Sequence, residues 1–363
     1  MAIDGTKIQA NASKHKAMSY ERMDKDDARL TTEIEALLTR ADEVDAAEDA
    51  QYGVGQEPQD LPAELQRREA RRAKIREVRA ALKQEAAEAR AAQLRAQGEE
   101  LRAKAADPMT SPKKQGEFAT LAKKRDAQAD KLDDDDRDPP APDVDGDLPR
   151  NHPPTTTSGE PTPKAQRNFT DPESRIMVRD GAFMQGYNAQ IAVDEGHQII
   201  VAAALSNQSP DNEYFAPMLR RVVNNCDAVP TRVTGDSGYF SAANVRAAEH
   251  MGAEPFISVG KHRNDGTQEA TTASPQARSP ARLAMRARLE APDGRAAYAR
   301  RKATVEPVFG QIRACRGFQH MSFRGLFKSR CEWLFVCLTH NLLKLFRATR
   351  ATRATLAGAH TPG

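Results

Sequence analysis

The spacing of apolar positions changes along the chain. Between residues 18 and 106 Ala, Glu, Arg and Leu dominate, and Leu30, Ile34, Leu37 and Leu38 recur at helical spacing. Leu65, Ile75, Val78 and Leu82 do the same more thinly. Strong helix formers carrying such a stripe predict two or three long helices. They divide at "YGVGQEPQDLP", where Gly and Pro end one helix and start the next. Residues 107–163 combine like charges with Pro, Thr and Gly and have few large apolar side chains, so they predict a mobile acidic, Pro-rich linker.

Beyond the linker the period shortens. "FMQGYNAQIAVD" and "HQIIVAAALS" predict paired strands joined at "EGH". "DNEYFAPMLRRVVNNC" predicts an amphipathic helix with Phe215, Met218, Leu219 and Val222 on one side. "RVTGDSGYF" is a strand running into a polar turn, and "EPFISVG" is a further strand. The helix between them takes Ser241 as N-cap and Gly252 after its end. Residues 261–280 predict a loop and Ala281 onward predicts helices, one of them started or kinked by Pro307, which lacks a backbone donor. The first eight or so residues, with Ile3 and Ile8 around "DGTK", predict an opening strand. The order strand, helical block, strand, strand, helix, strand, helix, strand, helices predicts an α/β fold, a mixed sheet flanked by helices, with the helical block inserted after the first strand.

Charge adds a second division. The net charge is only +3, yet residues 295–353 carry thirteen Lys or Arg against Glu306 and Glu332 alone. Such a segment suits an anionic partner such as nucleic acid. Cys226, Cys315, Cys331 and Cys337 lack CxxC or zinc-ligand spacing and predict reduced, half-buried thiols of a cytosolic protein. "CEWLFVCLTHNLLKLF" is interrupted by Glu332, His340 and Lys344 and is shorter than the roughly 20 apolar residues of a membrane span, so it predicts a buried helix.

Carboxylates at strand ends and on a helix beside a sheet are what a two-metal phosphoryl-transfer site requires, with Mg²⁺ ions roughly 4 Å apart. Asp4 lies in the first strand before Gly5, whose freedom lets the backbone approach a ligand. Asp236 sits where a strand ends, and Glu306 stands alone in a basic stretch. Taken singly each has a plainer reading. Asp4 and Asp236 suit ordinary turns, and Glu306 suits an ion pair with Lys302 or Arg313.

Read together, "DGTKIQANAS", "AQRNFTDPESRIM", "FMQGYNAQIAVD", "TGDSGY", "YARRKATVEPVFGQIRACRGF" and "THNLLKLFR" resemble the DDE transposases of bacterial insertion sequences, in order and from residue 3 to about 347. The resemblance implies a ribonuclease H-like fold whose catalytic and metal-binding residues are Asp4, Asp236 and Glu306, with two Mg²⁺ or Mn²⁺ ions. It further implies DNA-binding roles for Tyr298, Arg301, Lys302 and Arg313, although the step from Tyr298 to Glu306 is one residue longer than the wider superfamily's pattern if Lys302 fills the basic position. The implied organisation is a first catalytic strand over 1–17, a helical insertion over 18–106, the linker, a catalytic domain over 164–347 and a disordered tail over 348–363. By physics alone the helical block is equally a dimerisation hairpin.

The implied activity is phosphodiester hydrolysis at an element's ends and strand transfer to target DNA, by a cytoplasmic, nucleoid-associated protein acting as a homodimer with no membrane association. Relatives carry a helical domain ahead of the first Asp where this chain has three residues. The expectation is therefore a shortened first strand, weakly paired on the near side of Asp4. The competing reading is a truncated, catalytically inactive DNA-binding remnant that interferes with a full-length transposase, and a generic ribonuclease H-like nuclease is a third.

Overall fold

The computed structural model describes residues 1–52, 63–132, 147–260 and 279–358. The chain divides into two compact units: unit 1 comprises Met1–Lys14, Pro142–Asn151 and Thr170–Gly363, and unit 2 comprises His15–Ala141 and His152–Phe169.

Unit 1 is built on strand β1 (Ala2–Gln9). Unit 2 begins with a short strand β2 (Ala17–Ser19) and helices α1 (Tyr20–Tyr52), α2 (Ala63–Ala106) and α3 (Pro112–Asp130), and ends with β3 (Gln166–Asn168). β2 and β3 pair antiparallel, which joins the two ends of the unit. The predicted stripes of α1 and α2 meet, for Met23, Leu30, Ile75, Val78, Leu82 and Ala165 form one cluster. Beside it Asp27 binds Arg72 and Arg76 of α2. The predicted division of the helices falls on residues 53–62, which lie outside the described ones.

The structure corrects the linker expectation over Pro112–Asp130. That segment is helix α3, with Pro112 in its first turn. It needs few large side chains because it packs small ones: Ala129 sits against Ala91 and Leu94 of α2, with Leu132 beside them. Thr155 and Pro161 form a further β-bridge, while residues 133–146 lie outside the described ones.

The rest of unit 1 runs β4 (Arg175–Arg179), β5 (Ala182–Val193), β6 (Ile200–Ser206), α4 (Phe215–Cys226), β7 (Arg232–Gly235), α5 (Ala242–His250), β8 (Glu254–Ile257), α6 (Pro280–Glu290), α7 (Pro292–Gly310) and α8 (Leu326–Gly358). The predicted loop over 261–280 falls, as far as 278, outside the described residues. A six-stranded mixed sheet has β1 near its middle. β1 runs antiparallel to β5, from Ala2 opposite Val193 to Gln9 opposite Gly186, and parallel to β7, which is parallel to β8. The long β5 uses its other edge twice, pairing with β4 over its first half and with β6 over its second. The expectation of a shortened, weakly paired first strand is overturned. Ala2 and Ile3, on the near side of Asp4, are fully buried and in register with β5.

Helices cover both faces of the sheet. On one, Ile3, Ala192, Val233 and Tyr239 pack against the α4 side chains Phe215, Met218, Leu219 and Val222, the four that helical spacing singled out. On the other, Ala2, Ile8, Tyr187 and Ile191 pack against Val305 and Val308 of α7 and Trp333 and Cys337 of α8. Ser241 accepts a hydrogen bond from the Asn244 N–H at 3.0 Å, and Gly252 has φ +90°, as the capping pattern predicts.

Two further expectations are revised. The tail expected from residue 348 continues α8 to Gly358. The helix expected to be buried buries one face only: Trp333, Cys337 and His340 are inside, whereas Leu334, Phe335, Leu338 and Leu342 are exposed. Similarly, the thiols are not half-buried. Cys226, Cys315 and Cys331 are exposed and Cys337 is buried, all four free. Among the described residues no helix is long and apolar enough to cross a membrane.

Candidate active site

Alternation along β1 decides what each side chain meets. Ala2 and Ile8 belong to the face covered by α7 and α8, so Asp4 and Thr6, at the same parity, open onto that face too. There Arg301 of α7 donates from Nη1 to Asp4 Oδ2 at 2.8 Å, and the side chains are only 10% and 16% exposed. Asp4 Oδ1 accepts the Gly5 N–H at 2.9 Å. Tyr298 lies one turn before Arg301, and the guanidinium stands over its ring at 5.7 Å.

Asp236 immediately follows β7. Its Oδ1 accepts the Gly238 N–H at 2.8 Å and caps a 3₁₀ turn over Ser237–Tyr239. The turn that was its plainer reading is therefore present, and it uses one carboxylate oxygen, the other having no hydrogen bond among the described residues. Asp4 feels the neighbouring charge: burial pushes its carboxyl above the usual range, Arg301 opposes that, and the Asp236 carboxylate pushes it up again. Two carboxylates and one guanidinium thus meet at the C-terminal end of β7 and the middle of β1.

The opposite face of β1 holds a polar network that sequence reasoning missed. Asp211 Oδ1 accepts from Lys7 Nζ at 2.8 Å, Asn188 Nδ2 at 2.8 Å and Gln190 Nε2 at 2.9 Å. Tyr239, buried in the turn that Asp236 caps, donates its hydroxyl to Gln190 Oε1. The network therefore ties the Asp236 turn to β5 and, through Lys7, to β1, fixing the backbone that carries both aspartates. Burial keeps the Tyr239 hydroxyl protonated, and the charges of Asp211, Asp4 and Asp236 add to the effect. Its signal in the sequence was the pair Asn188 and Gln190, polar at period two within a strand otherwise fit for a core.

Gly5 has a different role from the one expected. It lies opposite Gln190 in register, and a Cβ there would collide with the Gln190 amide. Gly5→Ala is expected to lower stability by about 1–3 kcal/mol through overpacking against an anchored side chain. Urea unfolding of the purified protein measures it, and a change within 0.5 kcal/mol, roughly that of an ordinary surface substitution, would contradict this packing role.

The other sequence-derived candidates lie on or after α7. Glu306 and Lys302 are exposed, and Glu306 has no ion pair among the described residues, so neither Lys302 nor Arg313 neutralises it. Pro307 lies inside α7 and leaves the Ala303 carbonyl without its helical donor; Gln198 Nε2 donates to that oxygen at 2.9 Å. The helix then loosens into a π-helical turn over Gln311–Cys315. A continuous α-helix would have aligned Arg313 with Glu306. Through the π-turn Arg313 instead comes to β1, where its Nη1 lies 3.5 Å from Thr6 Oγ1.

The chemistry of the donors fits a hard divalent cation at Asp4 and Asp236, because both offer carboxylate oxygen. Arg301 already supplies a positive charge to Asp4 in the place where such an ion would bind. Among the described residues no three His, Cys, Asp or Glu side chains gather closely enough to hold a metal, so Glu306 stands apart from the two aspartates.

A mixed sheet flanked by helices, bringing two aspartates together beside an arginine from a following helix, defines an α/β protein suited to phosphoryl chemistry. Its family is found by sequence comparison: the profile of the Transposase DDE domain family matches residues 154–342, more than half the chain, and the chain belongs to that family. Asp236, Tyr298, Arg301, Lys302, Glu306 and Arg313 lie inside the matched region, and Asp4 lies ahead of it. Comparison with curated proteins and with solved structures gave no match.

Proposed function

We propose that this protein is a DNA transposase with a ribonuclease H-like catalytic unit, in which Asp4, Asp236 and Glu306 act on the phosphodiester at an element's ends. The convergence of Asp4 and Asp236 at the sheet, within a chain of the DDE family, carries this reading. The sheet order supports it as well, since β6-β5-β1-β7-β8 places an antiparallel strand beside a parallel set, with the first aspartate near the middle.

In the first step a water oxygen attacks phosphorus and the P–O3′ bond breaks, which releases a 3′-hydroxyl. In the second, that hydroxyl loses its proton as it attacks a phosphorus of target DNA, and the target's own 3′ oxygen departs. Asp4 and Asp236 would hold Mg²⁺ or Mn²⁺, two ions in all, and Glu306, which stands apart from them on α7, would have to close on the pair to serve as the third carboxylate; bound metal would activate the attacking oxygen and stabilise the leaving one. Arg301 neutralises Asp4, and a cation bound at Asp4 would take over that role and leave the guanidinium to pair with a substrate phosphate. Arg313, Lys302 and Tyr298 flank the same helix, and the basic segment around them would follow the DNA backbone, so binding weakens steeply with salt.

The test is incubation of the purified full chain with labelled duplexes spanning the DNA that flanks its own coding sequence, with Mg²⁺, with Mn²⁺ or with EDTA. Metal-dependent products ending in a 3′-hydroxyl, and joined products with a target plasmid, are the expected result. Salt-sensitive binding without cleavage in either metal would overturn the catalytic reading and leave a DNA-binding protein.

A further inference from the structure

Helix α8 carries two apolar stripes, and the fold uses one. Inward, Leu326, Trp333 and Cys337 join the core beneath the sheet. Outward, Phe327, Leu334, Phe335, Leu338, Leu342, Leu345 and Phe346 are each 44–67% exposed. From Leu334 they advance in steps of three and four residues, apart from adjacent pairs, and Phe327 lies seven residues earlier, so the stripe runs along roughly 28 Å of helix.

A single-face surface helix is expected to be polar on its outer side, so a second stripe signals a further layer. With about 200 Å² available per large apolar residue, these exposures leave roughly 800 Å² of apolar surface open. The largest patch on an ordinary monomer is ~300–600 Å², whereas a standard interface takes about 800 Å² from each partner.

We infer that this face of α8 is the interface with a second copy of the chain, packed antiparallel about a twofold axis near Leu338. The stripe is self-complementary in that arrangement. A centre at Leu338 sets Leu334 of one copy against Leu342 of the other, and Cys331 against Leu345, as an isologous contact requires. Charge selects the direction. Lys344, Arg347 and Arg350 crowd one end of the helix with no acid among them, whereas at the other end Glu332 partly offsets Lys328 and Arg330. A parallel pair would set the two most basic ends against each other, and the antiparallel pair keeps them apart. The inference stands independently of the catalytic reading, because none of these residues belongs to the candidate site.

Sedimentation velocity of the purified full chain without DNA, at micromolar concentration, is expected to give the mass of a dimer. Leu338→Glu should raise the dissociation constant at least ~100-fold, because each copy would bury an unpaired carboxylate. Helical circular dichroism should be unchanged, since Leu338 faces away from the core. Leu338→Cys, with Cys331→Ser to remove the nearby thiol, should form a disulfide-linked dimer under mild oxidation. A monomeric wild type, or a dimer indifferent to Leu338→Glu, would overturn the inference. If the chain is monomeric, protection of the Leu338→Cys thiol from maleimide would assign the face to another segment of the same chain. Co-sedimentation of a monomer with phosphatidylglycerol vesicles would assign it to lipid, and either outcome overturns the dimer.

Discussion

Asp236→Asn is expected to lower metal-dependent DNA cleavage about a thousandfold, ~4 kcal/mol of lost transition-state stabilisation, and to leave the fold almost untouched. The two halves of that result have separate causes. The amide oxygen of Asn still accepts the Gly238 N–H, so the 3₁₀ turn and the buried Tyr239 behind it stay in place. What disappears is the negative charge that, with Asp4, attracts a cation to the end of β7. The same change at Asp4 is a poorer experiment, because Arg301 would lose the carboxylate that neutralises it in a buried position. Cleavage rates at saturating Mg²⁺, beside thermal melting of the same preparations, separate these effects. Activity within tenfold of the parent would remove Asp236 from the catalytic set, and a collapsed melting curve would show that the turn depends on the carboxylate.

Trp333→Ala is expected to be the costliest single truncation in unit 1, at about 3–5 kcal/mol. Its ring is fully buried, lies 6.3 Å from that of Phe318 and fills the space between α8 and the sheet. Its Nε1 also points to the Gln190 carbonyl on β5, at 3.4 Å. The contrast with Leu338, on the outer face of the same helix, makes the prediction specific. Denaturant unfolding should show a large loss for Trp333→Ala and almost none for Leu338→Glu measured below the dimer's dissociation constant. Equal losses would mean that the two faces of α8 had been wrongly distinguished.

The elements with a strong local period were legible before any coordinates. α4 buries the side chains its spacing marked, and Ser241 caps α5 as its hydroxyl and position imply. The hairpin of β4 and β5 could also have been read, because Asp180-Gly181, with φ of +52° and +76°, is the two-residue turn that right-twisted strands prefer. Two features were not legible for physical reasons. α3 gains its packing from alanines, which carry little weight in a hydrophobic pattern yet allow helices to approach closely. In α8 the pattern announces apolar faces but not which one meets the sheet, and only the tertiary structure separates Trp333 from Leu338.

The site divides along the same line. Asp4 and Asp236 were recognisable only when the motifs that contain them were read together, since each alone suits an ordinary turn, and in the structure the charge of one acts on the other. Asp211 was not, since its role depends on Lys7, Asn188 and Gln190 arriving from two strands far apart in sequence. Arg301 appeared as one of several adjacent basic residues. Its selection over Arg300 and Lys302 follows from helical phase, which turns 301 towards β1 and leaves the other two exposed.

The pairing of β1 with β5 also constrains how the protein is made. Ala2 meets Val193 and Gln9 meets Gly186, so the strand bearing Asp4 leaves the ribosome roughly 180 residues before its antiparallel neighbour. At ~5–20 residues per second that is a wait of roughly ten to forty seconds. α1 and α2 can close on each other within that interval through contacts close in sequence, whereas Ile3 and Ile8 remain uncovered until β5 appears. The nascent chain therefore passes through a stage in which the helical unit is complete and the strand carrying the first aspartate is still an unpaired, aggregation-prone edge.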